Sequence, residues 1–274
     1  MLDQAVIVIP VYKSDPNKYE VISFLQVLKI LKRYTITLAI PYGLDINNYN
    51  IYADNSHKEI NIEHFDASYF ENIEGYNRLM LSLDFYERFG KYEYILIYQL
   101  DCFVFKDSLE EWIQQGVDYV GAPWLHNDRR LWWTLGNKIK YQLKYYYRRY
   151  TNKDNSISLG FYKVGNGGLS LRRTESFCKI IKKFGGSKRI ERYRFSEGNY
   201  LYAEDVFWGC EVNRYYPHLK IPSFKQALLF SFDMNPSLSY ELNDYEIPFG
   251  CHAWYRYELD FWKPFIEKEG YYLE

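Results

Sequence analysis

Continuous apolar runs recur along the N-terminal part of the chain. Ala5–Val11 is apolar throughout and rich in β-branched residues, which predicts a strand covered on both faces. Further strands are predicted at Ile36–Ile40, Ile60–Phe65, Tyr94–Leu100 and Asp118–Gly121. Each run is short and is bounded by polar or turn-forming residues, as expected for strands rather than buried helices.

Apolar residues at helical spacing lie between these runs. Asp15 and Pro16 indicate an N-cap and a first-turn proline, and the stripe after them predicts a helix facing the sheet. This stripe consists of Val21, Phe24, Leu25, Leu28 and Leu31. A second stripe runs from Tyr76 to Tyr86, and Ser108 with Glu111 predicts a capping box on a third helix. The order β-α-β-β-α-β-α-β predicts a mainly parallel α/β sheet with helices on both faces.

The segment His126–Asn155 interrupts this alternation. It is basic and aromatic and contains no acid between Asp128 and Asp154, so we expect an insertion or lid over residues 126–160. An amphipathic stretch over residues 129–150 would suit contact with an anionic membrane surface. A solvated helical hairpin packed on the domain is the other interpretation, and both stay open.

Composition narrows the class of protein. The 274 residues carry a formal net charge of −1, which gives no general attraction to nucleic acid. The four cysteines are scattered and predict neither a zinc knuckle nor a disulfide framework. No signal peptide is recognised and no apolar run is long enough to span a membrane, so a cytoplasmic protein is expected, with contact to the inner face of the membrane as an option.

Polar residues follow several predicted strands. Ligands of an open α/β sheet bind at the carboxyl ends of its strands, so these residues are the candidates for chemistry. Asp101 follows the most apolar interior run, where a carboxylate is costly to bury unless it meets water, a metal or a donor. A turn or helix-cap aspartate is the other interpretation of Asp101.

Three more patterns are candidates. The first is the glycine run Gly165-Asn166-Gly167-Gly168, which either allows positive φ and close approach of the backbone to a ligand or forms a plain tight turn. It matches neither a dinucleotide-binding motif nor a P-loop motif. Glu204-Asp205 opens a predicted helix and either complements the helix dipole or supplies a general base. His252 is either a structural histidine or a ligand.

Taken in order, these motifs resemble those of GT-A glycosyltransferases. That family carries a first strand ending near the nucleotide, an Asp-x-Asp motif, a glycine-rich acceptor-side loop, a Glu-Asp pair and a C-terminal histidine. The chain has AVIVIPVY, Gln99-Leu100-Asp101, the glycine run, Glu204-Asp205 and His252 in the same order, so the resemblance covers nearly its whole length. The stretches QLDCFVF, YVGAPW, GNGGLSLR and EDVFW also resemble a bacterial family of uncharacterised function.

The resemblance implies one catalytic domain over residues 1–274. A nucleotide-sugar-binding half would occupy residues 1–125, the insertion 126–160 and an acceptor-binding half 161–274. The implied reaction moves a sugar from a nucleotide-sugar, most commonly a UDP-sugar in this superfamily, to a hydroxyl of a glycan or lipid-linked glycan. Surface polysaccharide assembly is the implied setting.

The resemblance also implies roles for single residues. Asp205 would be the general base of an inverting transfer, and Glu204 would orient the acceptor beside it. Asp101 and His252 would bind Mn²⁺ or Mg²⁺, ions that accept carboxylate, imidazole and phosphate ligands. Gln99 stands where the family more often has Asp, which leaves a strict metal requirement open. Donor contacts are expected at Pro10, Val11, Tyr12, Asp66, Asn77, Arg78, Gln99 and Asp101.

Other classes of function stay open. Because Gln99 replaces an acid, a non-catalytic nucleotide-sugar or carbohydrate-binding protein on the same fold is an alternative. A nucleotidyltransferase would usually carry a glycine-rich basic loop after the first strand, where this chain reads PVYKSDP. An interaction scaffold would use the basic aromatic segment.

Overall fold

A six-stranded sheet and a smaller three-stranded sheet organise the protein. The computed structural model describes residues 3–125, 163–196 and 202–273, together with Leu143 and Tyr147. The strands are β1 (Asp3–Pro10), β2 (Thr35–Pro41), β3 (Asn61–Phe65), β4 (Tyr92–Tyr98), β5 (Phe103–Val104), β6 (Tyr119–Gly121), β7 (Leu169–Arg173), β8 (Ser231–Phe232) and β9 (Gly250–Cys251).

Helices connect these strands. They are α1 (Lys18–Ile30), α2 (Asn47–Asn55), α3 (Ile73–Met80), α4 (Leu83–Arg88), α5 (Leu109–Gln114), α6 (Thr174–Phe184), α7 (Lys188–Arg194), α8 (Glu204–Val206), α9 (Phe224–Phe230), α10 (Pro236–Leu242) and α11 (Leu259–Lys268). A 3₁₀ turn at Ala67–Tyr69 precedes α3, and a π-helical turn at Phe207–Glu211 continues α8.

The large sheet has the strand order β3-β2-β1-β4-β7-β6. β1 pairs in parallel with β2 and β4, β2 pairs in parallel with β3, and β7 runs antiparallel between β4 and β6. The predicted mainly parallel α/β sheet with flanking helices is therefore confirmed. All five strands predicted from the apolar runs are present, within a few residues of the expected bounds.

Apolar side chains of the central strands pack on both faces of this sheet. Ile7 and Leu96 belong to one buried cluster together with Phe24 of α1. The alternate positions Val6 and Ile95 belong to a second cluster on the other face. This two-sided burial is what the continuous apolar runs predict, because each strand of such a sheet contacts helices above and below.

Several local predictions are wrong. The N-cap of α1 is Asn17, whose side chain accepts hydrogen bonds from the amides of Tyr19 and Glu20 and forms a capping box with Glu20. Asp15 instead accepts a hydrogen bond from the Asn48 amide. The cap moves because the helix begins only at Lys18, beyond the predicted first-turn proline.

The stripe predicted as one helix from Tyr76 to Tyr86 forms two helices. The first ends at Met80 with Leu81 as its C-cap, and Ser82 caps the second, since its hydroxyl accepts a hydrogen bond from the Phe85 amide. Ser108 is the N-cap of α5 but makes no capping hydrogen bond with its side chain. A helix that the sequence did not predict, α2, lies between β2 and β3.

The predicted insertion at 126–160 falls outside the described residues, apart from Leu143 and Tyr147, which are exposed. Its possible membrane contact therefore stays a prediction. Among the described helices, none has the length and apolar character needed to cross a bilayer.

Candidate functional site

The turn after β4 places Gln99 and Asp101 at the carboxyl edge of the large sheet. β4 ends at Tyr98, and the backbone amide of Gln99 donates to the carbonyl of Gly168, the residue before β7, at 2.9 Å. The chain then turns, with the Cys102 amide donating to the Gln99 carbonyl. Asp101 lies in this turn, and only 5% of its surface is exposed.

The small sheet brings two distant residues to Asp101. β8 pairs in parallel with β9 in the register Phe232–Cys251, so that Asp233 and His252, which follow these strands, lie side by side. β9 also pairs antiparallel with β5, which begins two residues after Asp101. Strand pairing thus assembles three charged side chains that are far apart in sequence.

His252 is the centre of this cluster. Its Nε2 lies 3.3 Å from Asp101 Oδ1 and 3.3 Å from Gln99 Oε1, and its Nδ1 lies 3.0 Å from Asp233 Oδ1. Arg256 approaches the other oxygen of Asp101 at 3.3 Å. We name Gln99, Asp101, Asp233, His252 and Arg256 the open cluster.

The charges of the open cluster determine its pKa values. Burial alone would lower the pKa of His252, but Asp101 and Asp233 outweigh it and raise the pKa to about 10. Burial alone would raise the pKa of Asp101, but His252 and Arg256 lower it below its ordinary value. At neutral pH and without a bound cation, His252 is therefore a positively charged imidazolium, and Asp101 is an ionised carboxylate.

The glycine run contacts both sides of the site. A Cβ at Gly168 would lie 2.3 Å from His252 Nε2, and one at Gly167 would lie 1.9 Å from Glu204 Oε1. The residue with positive φ is Asn166, at 59°, and its Oδ1 accepts the Gly168 amide at 3.0 Å. The glycines therefore permit close approach of the His252 and Glu204 side chains to the backbone, and Asn166 takes the left-handed conformation that it tolerates better than most residues. The predicted close approach to a ligand stays a prediction.

Glu204 lies in a buried ion pair. Its Oε1 is 2.9 Å from the Arg172 guanidinium, and the side chains are 3% and 0% exposed. Arg172 also donates to the Tyr86 hydroxyl, and the Glu204 amide donates to the Asn77 side chain. Burial raises the pKa of Glu204 despite Arg172. We name Arg172, Glu204 and Tyr86 the sealed cluster.

Asp205 follows Glu204 but is only half-buried. Its Oδ1 accepts the Val206 amide at 2.7 Å. Burial and then the neighbouring Glu204 raise the pKa of Asp205 to about 7. A carboxylate with a pKa near neutrality is suited to remove a proton from a hydroxyl.

A cavity of about 340 Å³ opens beside the open cluster. Four residues predicted to contact a donor line it: Pro10, Tyr12, Gln99 and Asp101. The sequence did not predict Tyr255 and Arg256, nor the segment after β3 that includes Phe70, Asn72 and Tyr76. Its size and its aromatic and polar lining are typical of a small-molecule site.

The other residues predicted to contact a donor lie elsewhere. Val11 is fully buried in the core, and Asp66 caps the 3₁₀ turn by accepting hydrogen bonds from Ser68. Asn77 is buried against Glu204, and Arg78 pairs with Glu74 and the Ser68 carbonyl. Among the described residues that line the cavity, these four are not found.

Gln99, Asp101 and His252 bring together polar atoms of the kinds that bind a divalent cation. Asp101 Oδ1 is buried and accepts no hydrogen bond of good geometry, while Gln99 Oε1 and His252 Nε2 face it. Within the described part of the chain, no group of three or more His, Cys, Asp and Glu side chains is arranged to hold a metal. Two oxygens and one imidazole nitrogen fit Mg²⁺ or Mn²⁺ where phosphate oxygens complete the coordination.

A signal for the missed residues was partly present. Arg256 is a basic residue four positions after His252, and Tyr255 precedes it. Asp233 and Arg172 gave no signal, because an aspartate after SF and an arginine in LSLRR are common surface patterns.

Comparisons with known proteins identify the fold. A family model described as "Protein of unknown function (DUF5672)" matches residues 59–252. The structure of galactosyltransferase LgtC in complex with donor and acceptor sugar analogues is similar with a TM-score of 0.54 at 13% identity, over 96% of this chain and 95% of that chain. This likeness confirms the predicted GT-A-type fold.

Two other solved structures are similar at lower TM-scores. Core-mannan synthase A (CmsA/Ktr4) from Aspergillus fumigatus, in its Mn/GDP form, gives 0.46 at 10% identity, over 81% of this chain and 73% of that chain. The mannosyltransferase Ktr4p from S. cerevisiae in complex with GDP gives 0.45 at 10% identity, over 82% and 68%. No curated protein matches the chain by sequence.

Proposed function

The chain belongs to the DUF5672 family of proteins of unknown function, and we propose that it is a glycosyltransferase that moves a sugar from a nucleotide-sugar to an acceptor hydroxyl. One observation carries the proposal. The four-residue glycine run contacts His252 at the donor side of the site, and the amide of Gly167 faces Asp205. The glycine run therefore lies between the open cluster, whose Gln99, Asp101 and Arg256 line the cavity, and a carboxylate whose pKa is raised to about 7.

In the proposed reaction, Asp205 accepts the proton of the acceptor hydroxyl. The hydroxyl oxygen forms the new bond to the anomeric carbon, while the bond from that carbon to the diphosphate oxygen breaks and its electron pair leaves with the nucleotide. Attack opposite the leaving group inverts the anomeric configuration. Arg256, on the cavity wall, stabilises the charge that develops on the diphosphate.

Asp101, His252 and Gln99 would hold a divalent cation beside the diphosphate. When bound, the cation withdraws negative charge from the departing phosphate oxygens. Glu204 is proposed to act through Arg172, holding the start of α8 so that Asp205 faces the glycine run, which replaces the predicted direct contact with the acceptor.

The donor and acceptor classes are extensions of this proposal. Tyr12, Phe70 and Tyr255 surround the cavity with aromatic rings that can stack on a nucleobase, and UDP-sugars are the first donors to test. A glycan or lipid-linked glycan is the proposed acceptor, in the assembly of a surface polysaccharide.

A donor panel tests the reaction. UDP-, GDP-, CMP- and dTDP-sugars are incubated with the full chain and Mn²⁺, and released nucleotide is measured with and without glycan acceptors. We expect release with one nucleotide class, and NMR of the product should show an inverted anomeric centre. A retained configuration would contradict Asp205 as the base of a single displacement.

A non-catalytic nucleotide-sugar-binding protein is the second candidate. It is favoured by Gln99, which brings no charge where an acid is usual. Stabilisation of the chain by a nucleotide-sugar, with no nucleotide released from it in the presence of any acceptor, would support this candidate.

A further inference from the structure

The buried side chains of Asn166 and Asp233 contact the face of His252 that points away from Asp101. Asp233 Oδ1 lies 3.0 Å from His252 Nδ1, and Asp233 Oδ2 accepts the Asn166 amide at 2.9 Å. Asn166 is 6% exposed and Asp233 is 7% exposed. Neither residue is among those that line the cavity, and both contact His252 Nδ1, at 3.0 Å each.

The orientation of the Asn166 amide is fixed by the backbone. The Gly168 amide can only donate, and it donates to Asn166 Oδ1 at 3.0 Å. The Asn166 nitrogen must therefore point at Asp233 and His252, where it donates to the Asp233 carboxylate. This assignment settles the amide orientation from hydrogen-bonding partners.

The proton position on a neutral His252 follows from the same contacts. An ionised Asp233 can only accept at Nδ1, so an unprotonated Nδ1 would place two lone pairs 3.0 Å apart. The Asn166 nitrogen also lies 3.0 Å from Nδ1, but Asp233 Oδ2 already provides it with an acceptor. A cation bound at Nε2, beside Asp101 Oδ1 and Gln99 Oε1, would take the place of a proton on that side, so the remaining imidazole proton lies on Nδ1, where Asp233 accepts it.

We propose that Asn166 and Asp233 are positioning residues that hold His252 in the tautomer able to bind a divalent cation through Nε2. The proposal deepens the proposed function, because the cation is the one expected beside a nucleotide diphosphate. A carboxylate that orients a metal-binding imidazole in this way typically affects metal affinity by ~10-fold to 100-fold.

The Asp233→Asn variant keeps the shape of the side chain but removes one acceptor. Its amide nitrogen must face either the Asn166 nitrogen or the proton on His252 Nδ1. This donor–donor conflict is removed when Nδ1 accepts a hydrogen bond from the new amide. The imidazole proton then lies on Nε2, where it blocks the cation. Exchanging the groups in an Asp233→Asn/Asn166→Asp double variant restores a carboxylate within reach of Nδ1 and the Gly168 amide.

The experiment measures Mn²⁺ alone on the full chain. Electron paramagnetic resonance gives the affinity, and electron spin-echo modulation detects an imidazole nitrogen bound to Mn²⁺. We expect the wild type to show this modulation, Asp233→Asn to lose it with an affinity ~10-fold to 100-fold lower, and the double variant to recover both. Asp118→Asn is the matched control, since both its oxygens accept hydrogen bonds from Ser176 and Lys220, and it should keep both signals.

Three results would overturn the proposal: no imidazole modulation in the wild type, unchanged Mn²⁺ affinity in Asp233→Asn, or an equal loss in Asp118→Asn. No sugar donor enters the experiment, so its outcome is independent of turnover. A chain that passes this test but releases no nucleotide from any donor would contradict the proposed transferase and leave the positioning roles standing.

Discussion

The sealed and open clusters both pair carboxylates with cations, but their environments differ. Arg172 and Glu204 are 0% and 3% exposed and are held by packed neighbours, including the Tyr86 hydroxyl. In the open cluster Arg256 is 56% exposed, and Gln99, Asp101 and Arg256 line a cavity. The first arrangement fixes a backbone segment, whereas the second leaves charged groups in reach of a ligand.

This difference shows that a buried charge can be structural or functional according to what faces it. In the sealed cluster Arg172 satisfies Glu204 Oε1, so the pair stabilises only if it stays intact. Each cluster has one buried carboxylate oxygen without a hydrogen-bond partner, Glu204 Oε2 in the sealed cluster and Asp101 Oδ1 in the open cluster, but of these two residues it is Asp101 that lines the cavity. We expect mutations in the sealed cluster to change stability first, and mutations in the open cluster to change binding first.

The largest expected effect is the loss of the sealed ion pair. Arg172→Met leaves Glu204 buried without a partner, which should lower the free energy of unfolding by about 3–5 kcal/mol in urea denaturation. The neighbouring pair Arg173–Glu93 has the same 2.9 Å distance but is 37% and 38% exposed, so Arg173→Met is the matched control. Its expected cost is about 0–1 kcal/mol, and equal losses in both variants would contradict the comparison.

Gly168→Ala should disturb the open cluster without removing a charge. The added methyl would overlap the His252 ring and displace its Nε2, so Mn²⁺ affinity should fall ~10-fold or more. Gly43→Ala is the control, because Gly43 has a φ of 82° with no neighbour within 4 Å of an added Cβ. That variant should lower the melting temperature through backbone strain yet keep normal Mn²⁺ affinity.

The pH dependence of transfer should report Asp205. A base must be deprotonated to act, and the pKa of Asp205 is raised to about 7. The value of kcat/KM should therefore fall about tenfold for each pH unit below about 7 and level off above it. A profile that stays flat down to pH ~5 would contradict Asp205 as the base.

Asp205→Asn should also stabilise the protein at alkaline pH. Because its pKa is raised in the folded state, Asp205 holds its proton more tightly there than in the unfolded chain, so stability falls as pH rises toward about 7. The variant should melt higher than wild type at pH ~8, by about 2–4 °C for each kcal/mol relieved. The difference should shrink as pH falls, and a lower melting temperature at pH ~8 would contradict the burial argument.

The two clusters also differ in how far the sequence predicts them. β1 and β4 each contain a continuous apolar run, so these runs identified the large sheet and with it the turn that carries Asp101. β8 and β9 have two residues each, too short for any periodic signal, and their pairing is long-range. Asp233 was missed for that reason, whereas His252 was found only through the order of motifs.

The sequence also did not predict which charged residues are buried. Arg172 alternates with apolar residues in β7, and nothing in LSLRR distinguishes it from the exposed Arg173 beside it. Conversely, three polar residues that were predicted to contact the donor make structural contacts within the protein. Asp66 caps the 3₁₀ turn, Asn77 accepts a hydrogen bond from the Glu204 amide, and Arg78 pairs with Glu74. Which polar side chain meets a cavity depends on tertiary contacts that local patterns do not encode.

The central claim is that Asp205 is the base of a sugar transfer whose nucleotide binds beside the open cluster. The most direct measurement compares wild type and Asp205→Asn for nucleotide release and for nucleotide affinity, with the donor and acceptor that the panel identifies. We predict that transfer falls by ~10²- to 10⁴-fold while the affinity for the nucleotide stays within about twofold. Retained transfer in Asp205→Asn would contradict the account.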